Sequence, residues 1–197
     1  MVTQIIICLE EFDSIRLFRY NAVAIMNDIK IGDKIIYPNQ GLGIIEDIQK
    51  ENHFGKNYHV FHVRIINNDT LVLVPASYAG EIGIRKLISE KNINNLFEFI
   101  GDSEVDIDTN WKGRYKEYQT LMKSGTIIEI ATVLKSLYYL NLTKPLSYRE
   151  KKMLEKAMEL VVQEISEVAS IPSSEIEEKL LNILSISFKD VVPRVET

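Results

Sequence analysis

Three histidines and one cysteine are the residues best suited to catalysis or metal binding: His53, His59, His62 and Cys8. His59 and His62 are three apart in a run, 58–65, whose composition reads as a strand. Side chains three apart on a strand point to opposite faces, so this pair cannot close on one metal ion. No other Cys or His has zinc-site spacing. Cys8 has no second cysteine to pair with, so no disulfide framework exists and a reducing cytoplasm is the simplest home. Gly41-Leu42-Gly43 is half of a dinucleotide loop, but no helix follows it and a turn is the better reading. G-x-S-x-G, the phosphate-binding P-loop and H-E-x-x-H do not occur. Carboxylates are plentiful, yet none stands out as an acid/base pair. The expectation is a non-enzymatic protein with no cofactor.

A second kind of chemistry is legible between residues 109 and 156. This stretch carries Lys112, Arg114, Lys116, Lys123, Lys135, Lys144, Arg149, Lys151, Lys152 and Lys156 against four glutamates. The whole chain has a formal net charge of -5, so bulk electrostatics do not predict nucleic-acid binding. A local basic surface can still contact phosphates, because Lys and Arg displace condensed counterions. The plain alternative is a solvated helix face. The only tryptophan, Trp111, lies in this stretch. Trp111, Tyr115, Tyr118 and Met122 recur at helical spacing, which taken alone favours a core position for the indole.

The elements that must position these residues fall into two groups. With 197 residues, 46% of them hydrophobic and 26% charged, the chain can bury one core or two small ones. Residues 1–28 stand apart and read as an extension, with Met26 as an alternative start. They make a poor signal peptide, and no run approaches the length of a membrane span. Residues 29–88 read as β: short strands at 34–37, 42–48, 58–65 and 70–74 and a candidate last one within 82–87, with turns at Pro38–Gly41, 51–57 and 67–69. That pattern suggests a small barrel or curled sheet. Residues 89–186 read as helical, with helices expected near 90–100, 110–123, 126–139, 148–168 and 173–184. Ser89, Asp108 or Thr109, and Ser147 with Glu150 are candidate caps, the last a capping box. Residues 187–197 read as a loose tail. The fold class is therefore α+β: a small N-terminal β-barrel, then an all-α bundle.

Four spaced blocks carry a resemblance. They are Ile31-Gly32-Asp33-Lys34-Ile35-Ile36-Tyr37-Pro38-x-x-Gly41; Leu73-Val74-Pro75-Ala76 with Ile82-Gly83-Ile84-Arg85; Thr109-Asn110-Trp111-x-x-Arg114-Tyr115-Lys116 ending at Ser124-Gly125; and Leu146-Ser147-x-x-Glu150-Lys151-x-Met153-Leu154-x-Lys156-Ala157. In this order, over roughly 30–184, they resemble the CarD/CdnL family of bacterial RNA-polymerase-binding transcription regulators. The resemblance implies a Tudor-like barrel that binds the polymerase β subunit through an exposed sheet edge, and a helical domain lying over upstream promoter DNA. Trp111 matches the position of a tryptophan that wedges into the minor groove at the edge of the melted bubble, stabilising the open complex. Arg114, Lys116 and Lys151 are then the phosphate-contact candidates, while Gly113 stands where relatives can carry another basic residue. At the polymerase surface, Glu51 and Leu73 occupy positions where basic side chains contribute in relatives, and Lys50 and Arg64 are the candidates to compensate. The expected partners are the polymerase β subunit and promoter DNA, read with little sequence specificity by a cytoplasmic monomer. Two other classes stay open: an adaptor that binds polymerase without touching DNA, and an enzyme of unrecognised type.

Overall fold

The computed structural model describes residues 29–53, 56–105 and 111–190, without the side chains of 52, 53, 56, 57, 111 and 112. The upstream extension, its alternative start at Met26 and the last seven residues lie outside the described residues. The chain divides into two compact units between Leu87 and Ile88.

The first unit is one antiparallel sheet: β1 (Lys34–Tyr37), β2 (Gly41–His53), β3 (Lys56–Ile65), β4 (Thr70–Pro75) and the two-residue β5 (Arg85–Lys86). The strand order is β4-β3-β2-β1-β5. β4 and β5 stand at opposite ends and do not pair, so among the described residues the sheet is open. The closed barrel expected from the strand pattern is corrected on this point: β5 is too short, and the segment before it winds into a 3-10 turn (Ala76–Tyr78) and a single helical turn, α1 (Ala79–Ile82). Alternation sends Ile35, Ile45, Phe61, Val63, Ile65, Val72 and Val74 to one buried face.

Gly41 and Gly43 have different jobs. Gly41 closes the turn after β1 at φ +92, a conformation that side chains resist. Gly43 is not in a turn. It lies within β2, opposite Ile35 and Ile65. A methyl added there would stand 2.8 Å from Val63 Cγ1 and 3.3 Å from Ile35 Cδ1. Gly43→Ala should therefore overpack the sheet core and destabilise the protein by about 1–3 kcal/mol. A lowered urea midpoint at unchanged m would show it.

The second unit is a helical bundle of α2 (Ile93–Gly101), α3 (Trp111–Ser124), α4 (Ile127–Thr143), α5 (Tyr148–Ala169) and α6 (Ser173–Ser187). Ser89 caps no helix with its side chain; a 3-10 turn (Glu90–Asn92) intervenes before α2. Thr126 caps α4 by accepting from the Glu129 N–H. Burial runs unbroken through Val133, Leu134, Lys135, Ser136 and Leu137, which marks α4 as the central helix. Helices α2, α3 and α5 pack against it, and α6 packs against α2 and α5. Leu96 and Ile100 of α2, Leu160, Val161 and Ile165 of α5, and Leu180 and Leu184 of α6 all join one core. The tail expected from residue 187 starts too early: α6 runs through Ser187, and Phe188 is buried against Tyr138 and Tyr139.

Candidate functional site

In the helical unit, Arg149, Lys151 and Lys152 are exposed at the opening of α5, whose first turn is joined to the first turn of α3. The start of α5 is fixed by a complete capping box. Ser147 Oγ accepts from the Glu150 N–H at 3.3 Å, and Glu150 Oε2 accepts from the Ser147 N–H at 2.9 Å. Ser147 Oγ also donates to Glu150 Oε2 at 2.8 Å. The other carboxylate oxygen, Oε1, accepts from Arg114 Nη2 of α3 at 2.8 Å. This ion pair is interior: the two side chains are 2% and 10% exposed. Burial opposes the charge on Glu150, but the bonds from Arg114 and Ser147 outweigh it and hold the carboxyl below its ordinary range.

Arg114 is therefore corrected as a phosphate contact. Its guanidinium points into the bundle at Glu150, and a side chain with almost no exposed surface cannot meet a DNA backbone. Lys135, another member of the basic stretch, is also internal. It donates to the Phe99 carbonyl at the end of α2 at 3.1 Å and lies 4.8 Å from the centre of the Phe99 ring. Burial lowers its pKa, with Asp102 and Glu104 acting the other way.

The exposed cations form a smaller set. Lys116 on α3, and Arg149, Lys151 and Lys152 on α5, face solvent, as do Lys123 and Lys144. Lys152 bonds to Glu155 at 2.7 Å and lies 6.0 Å from the ring centre of Tyr148. Tyr148 is 74% exposed on the first turn of α5. An aromatic ring this open, beside three cations, is the functional candidate that sequence reasoning missed. Its signal was available: Tyr148 directly follows the N-cap, outside the buried stripe that begins at Glu150. Trp111 opens α3, and its side chain lies outside the described residues. Lys116 and Lys151, expected at this surface, are both exposed.

The sheet unit places the other four candidates unequally. Leu73 pairs with His62, Arg64 with Leu71, and Glu51 with Tyr58, so Leu73, Arg64 and Glu51 share the face opposite the core. Lys50 pairs with His59 and belongs to the other face. The sheet thus separates Lys50 from Glu51, as it separates His59 from His62. Along the strands, Glu51 and Leu73 sit four residues apart in level, about 13 Å. Arg64 is committed: its Nε and Nη2 meet Glu46 at 3.0 and 3.1 Å, and Nη1 donates to the Asp69 carbonyl at 3.1 Å. Beyond the β3–β4 pair Val60↔Pro75, β2 and β3 continue as a two-stranded ribbon carrying Lys50, Glu51 and the exposed Tyr58.

Among the described residues, no group of three or more His, Cys, Asp or Glu could hold a metal ion, and no helix is long and apolar enough to cross a membrane. Residues 29–88 match the family model for the CarD-like/TRCF RID domain, and residues 95–181 match the model for the CarD C-terminal domain. A Bacillus subtilis (strain 168) protein named "Putative transcription factor YdeB" is 30% identical over 147 residues, which span 75% of this chain and 96% of that protein. With both halves matched in order over most of its length, the chain belongs to the CarD/CdnL family of transcription regulators.

Proposed function

We propose that this regulator docks through its sheet on the RNA polymerase β subunit and braces promoter DNA with its helices, stabilising the open complex at the upstream edge of the bubble. The observation that carries the reading is the solvent-facing set Tyr148, Arg149, Lys151 and Lys152 at the opening of α5, with Lys116 exposed on α3, on a chain that is acidic overall. Cations supply phosphate contact, and the positive ends of the helices add to it. Trp111, at the first position of α3, is the wedge. An indole beside the fork replaces part of the stacking lost on melting and can donate its N–H in the minor groove. Docking uses the outer edge of β4, which no other strand pairs with among the described residues. An extended partner segment can add there through backbone hydrogen bonds. Leu73 in place of a cation makes that contact less electrostatic than in relatives, and Arg64, held by Glu46, does not replace the missing charge. Tethering to polymerase makes weak intrinsic DNA affinity sufficient. The protein acts as a cytoplasmic monomer, without catalysis or cofactor.

The test is the lifetime of the open complex formed by host polymerase on promoter DNA, challenged with a competitor. The full chain should lengthen it. Base–aromatic stacking is worth about 1–3 kcal/mol, so Trp111→Ala should shorten the factor-dependent lifetime by roughly 5- to 150-fold. An unchanged lifetime, with the chain still retained on polymerase, would favour an adaptor that does not touch DNA.

A further inference from the structure

We propose that Arg114 is a positioning residue: its buried pair with Glu150 holds the first turn of α3, and with it Trp111, in register with the first turn of α5. The consequence for DNA rests on the bracing role proposed above; the positioning itself does not.

The case begins with how α3 is attached to the bundle. Its buried stripe is Arg114, Tyr118 and Met122, each one helical turn from the next. Tyr118 and Met122 sit in the apolar core and secure the middle and end of the helix. Among the described side chains of the first turn, only Arg114 is buried; Gly113 beside it is exposed and contributes no side chain. A helix start is where hydrogen bonds are missing and fraying begins, and glycine makes fraying easier. Whatever fixes the first turn therefore fixes Trp111.

Glu150 is suited to be that anchor because its own orientation is set by α5. Oε2 is taken by Ser147 in the capping box, which leaves Oε1 aimed at Arg114. The guanidinium carries its donors in a rigid plane, and the one that meets Glu150 Oε1 at 2.8 Å, Nη2, reaches an oxygen whose direction is already set, so the contact specifies direction as well as proximity. Apolar side chains would fill such a site with less desolvation cost; what a buried ion pair adds is a particular geometry. Here the geometry joins the two turns that carry the candidate interface: Trp111 on one, Tyr148, Arg149 and Lys151 on the other.

Trp111 is the only tryptophan in the chain, so its emission reports on this turn alone. The experiment compares the full-length protein with Arg114→Lys, Arg114→Gln, Glu150→Gln and the exchange Arg114→Glu with Glu150→Arg. Each is studied below its own melting transition, with helix content checked by circular dichroism. Arg114→Gln and Glu150→Gln should raise the fast component of Trp111 anisotropy decay by about twofold, as expected when a held turn begins to open locally. Arg114→Lys should lie between them and the parent, because it keeps the charge and loses the rigid planar guanidinium that reaches Glu150 Oε1. In open-complex lifetimes, Arg114→Gln should cost as much as Trp111→Ala, and the two together no more than either, the non-additivity of residues acting through one contact.

Unchanged Trp111 anisotropy in folded Arg114→Gln and Glu150→Gln would overturn the proposal and leave the pair a purely stabilising contact. Additive losses in lifetime would overturn it as well. If Trp111→Ala itself left the lifetime unchanged, the bracing role would fall, and the anisotropy would still decide for or against positioning. Should Arg114→Gln not fold, Arg114→Lys and Glu150→Gln carry the same readout.

Discussion

Phe188→Ala should destabilise the helical unit by about 3–5 kcal/mol, the usual cost of emptying a buried aromatic site. Phe188 follows the last residue of α6, where its N–H donates to the Leu184 carbonyl at 3.1 Å. Its ring is 3% exposed and lies against two rings of α4: Tyr138 with centroids at 6.3 Å, and Tyr139 edge-on at 5.4 Å. It thus ties the end of α6 to the central helix. For a unit of this size each kcal/mol is worth several degrees, so the melting temperature should fall by roughly 15–30 °C. Thermal unfolding followed by circular dichroism is the measurement. A shift of only a degree or two would return Phe188 to the loose tail expected from sequence.

That expectation failed for a definable reason. Helix starts are legible when they carry a recognisable cap: the Ser147-Glu150 box places the start of α5 at Tyr148, as expected, whereas α4 runs four residues past its expected end at 139. Past Leu184 the sequence offers no cap, and the one residue that continues the Ile176, Leu180, Leu184 spacing is the single aromatic Phe188, which is easily passed over. What buries it is a pair of tyrosines about fifty positions upstream, and that proximity exists only after folding. The sheet was legible in the same partial way. Alternation located the strands, and Pro38 to Gly41 located a turn, but nothing local reveals that Gly43 faces Val63 at a distance too short for a methyl.

The candidate interface was read with one systematic error. Sequence treats every lysine and arginine in a basic stretch as surface, because charged side chains are seldom fully buried. Arg114 and Lys135 are exceptions, each made possible by an oxygen from another helix: Glu150 for one, the Phe99 carbonyl for the other. The partner lies 36 residues away in both cases. Removing these two leaves exposed cations on several elements, of which Arg149, Lys151 and Lys152 share the opening of α5 with Tyr148. The sheet's pleat likewise decides what charge arithmetic cannot. Lys50 is next to Glu51 in sequence but on the other face, so it is poorly placed to make up for the acidic residue there.

The same ion pair contributes a pH-dependent part of the helical unit's stability. Glu150→Ala leaves Arg114 charged and without this carboxylate in the interior, and it opens the α5 capping box. The expected loss is about 3–5 kcal/mol at neutral pH. Glu150→Gln is the more exact probe, since it keeps the shape and removes the ionisation. A carboxyl whose pKa is lower folded than unfolded stabilises the fold fully above the unfolded value, and that contribution disappears as pH falls through the folded one. With an ordinary value of 4.5 and a folded value below it, the contribution of Glu150 should be level from neutral pH down to near 4.5 and decline at more acid pH. Many other carboxylates titrate in that range, so the informative quantity is the difference in urea-unfolding free energy between the parent chain and Glu150→Gln. That difference should be flat above about pH 5 and shrink below it, because the parent then carries the same neutral group as the variant. A difference that stayed constant into strong acid, or grew there, would mean that the Glu150 carboxylate is not what Arg114 is bound to.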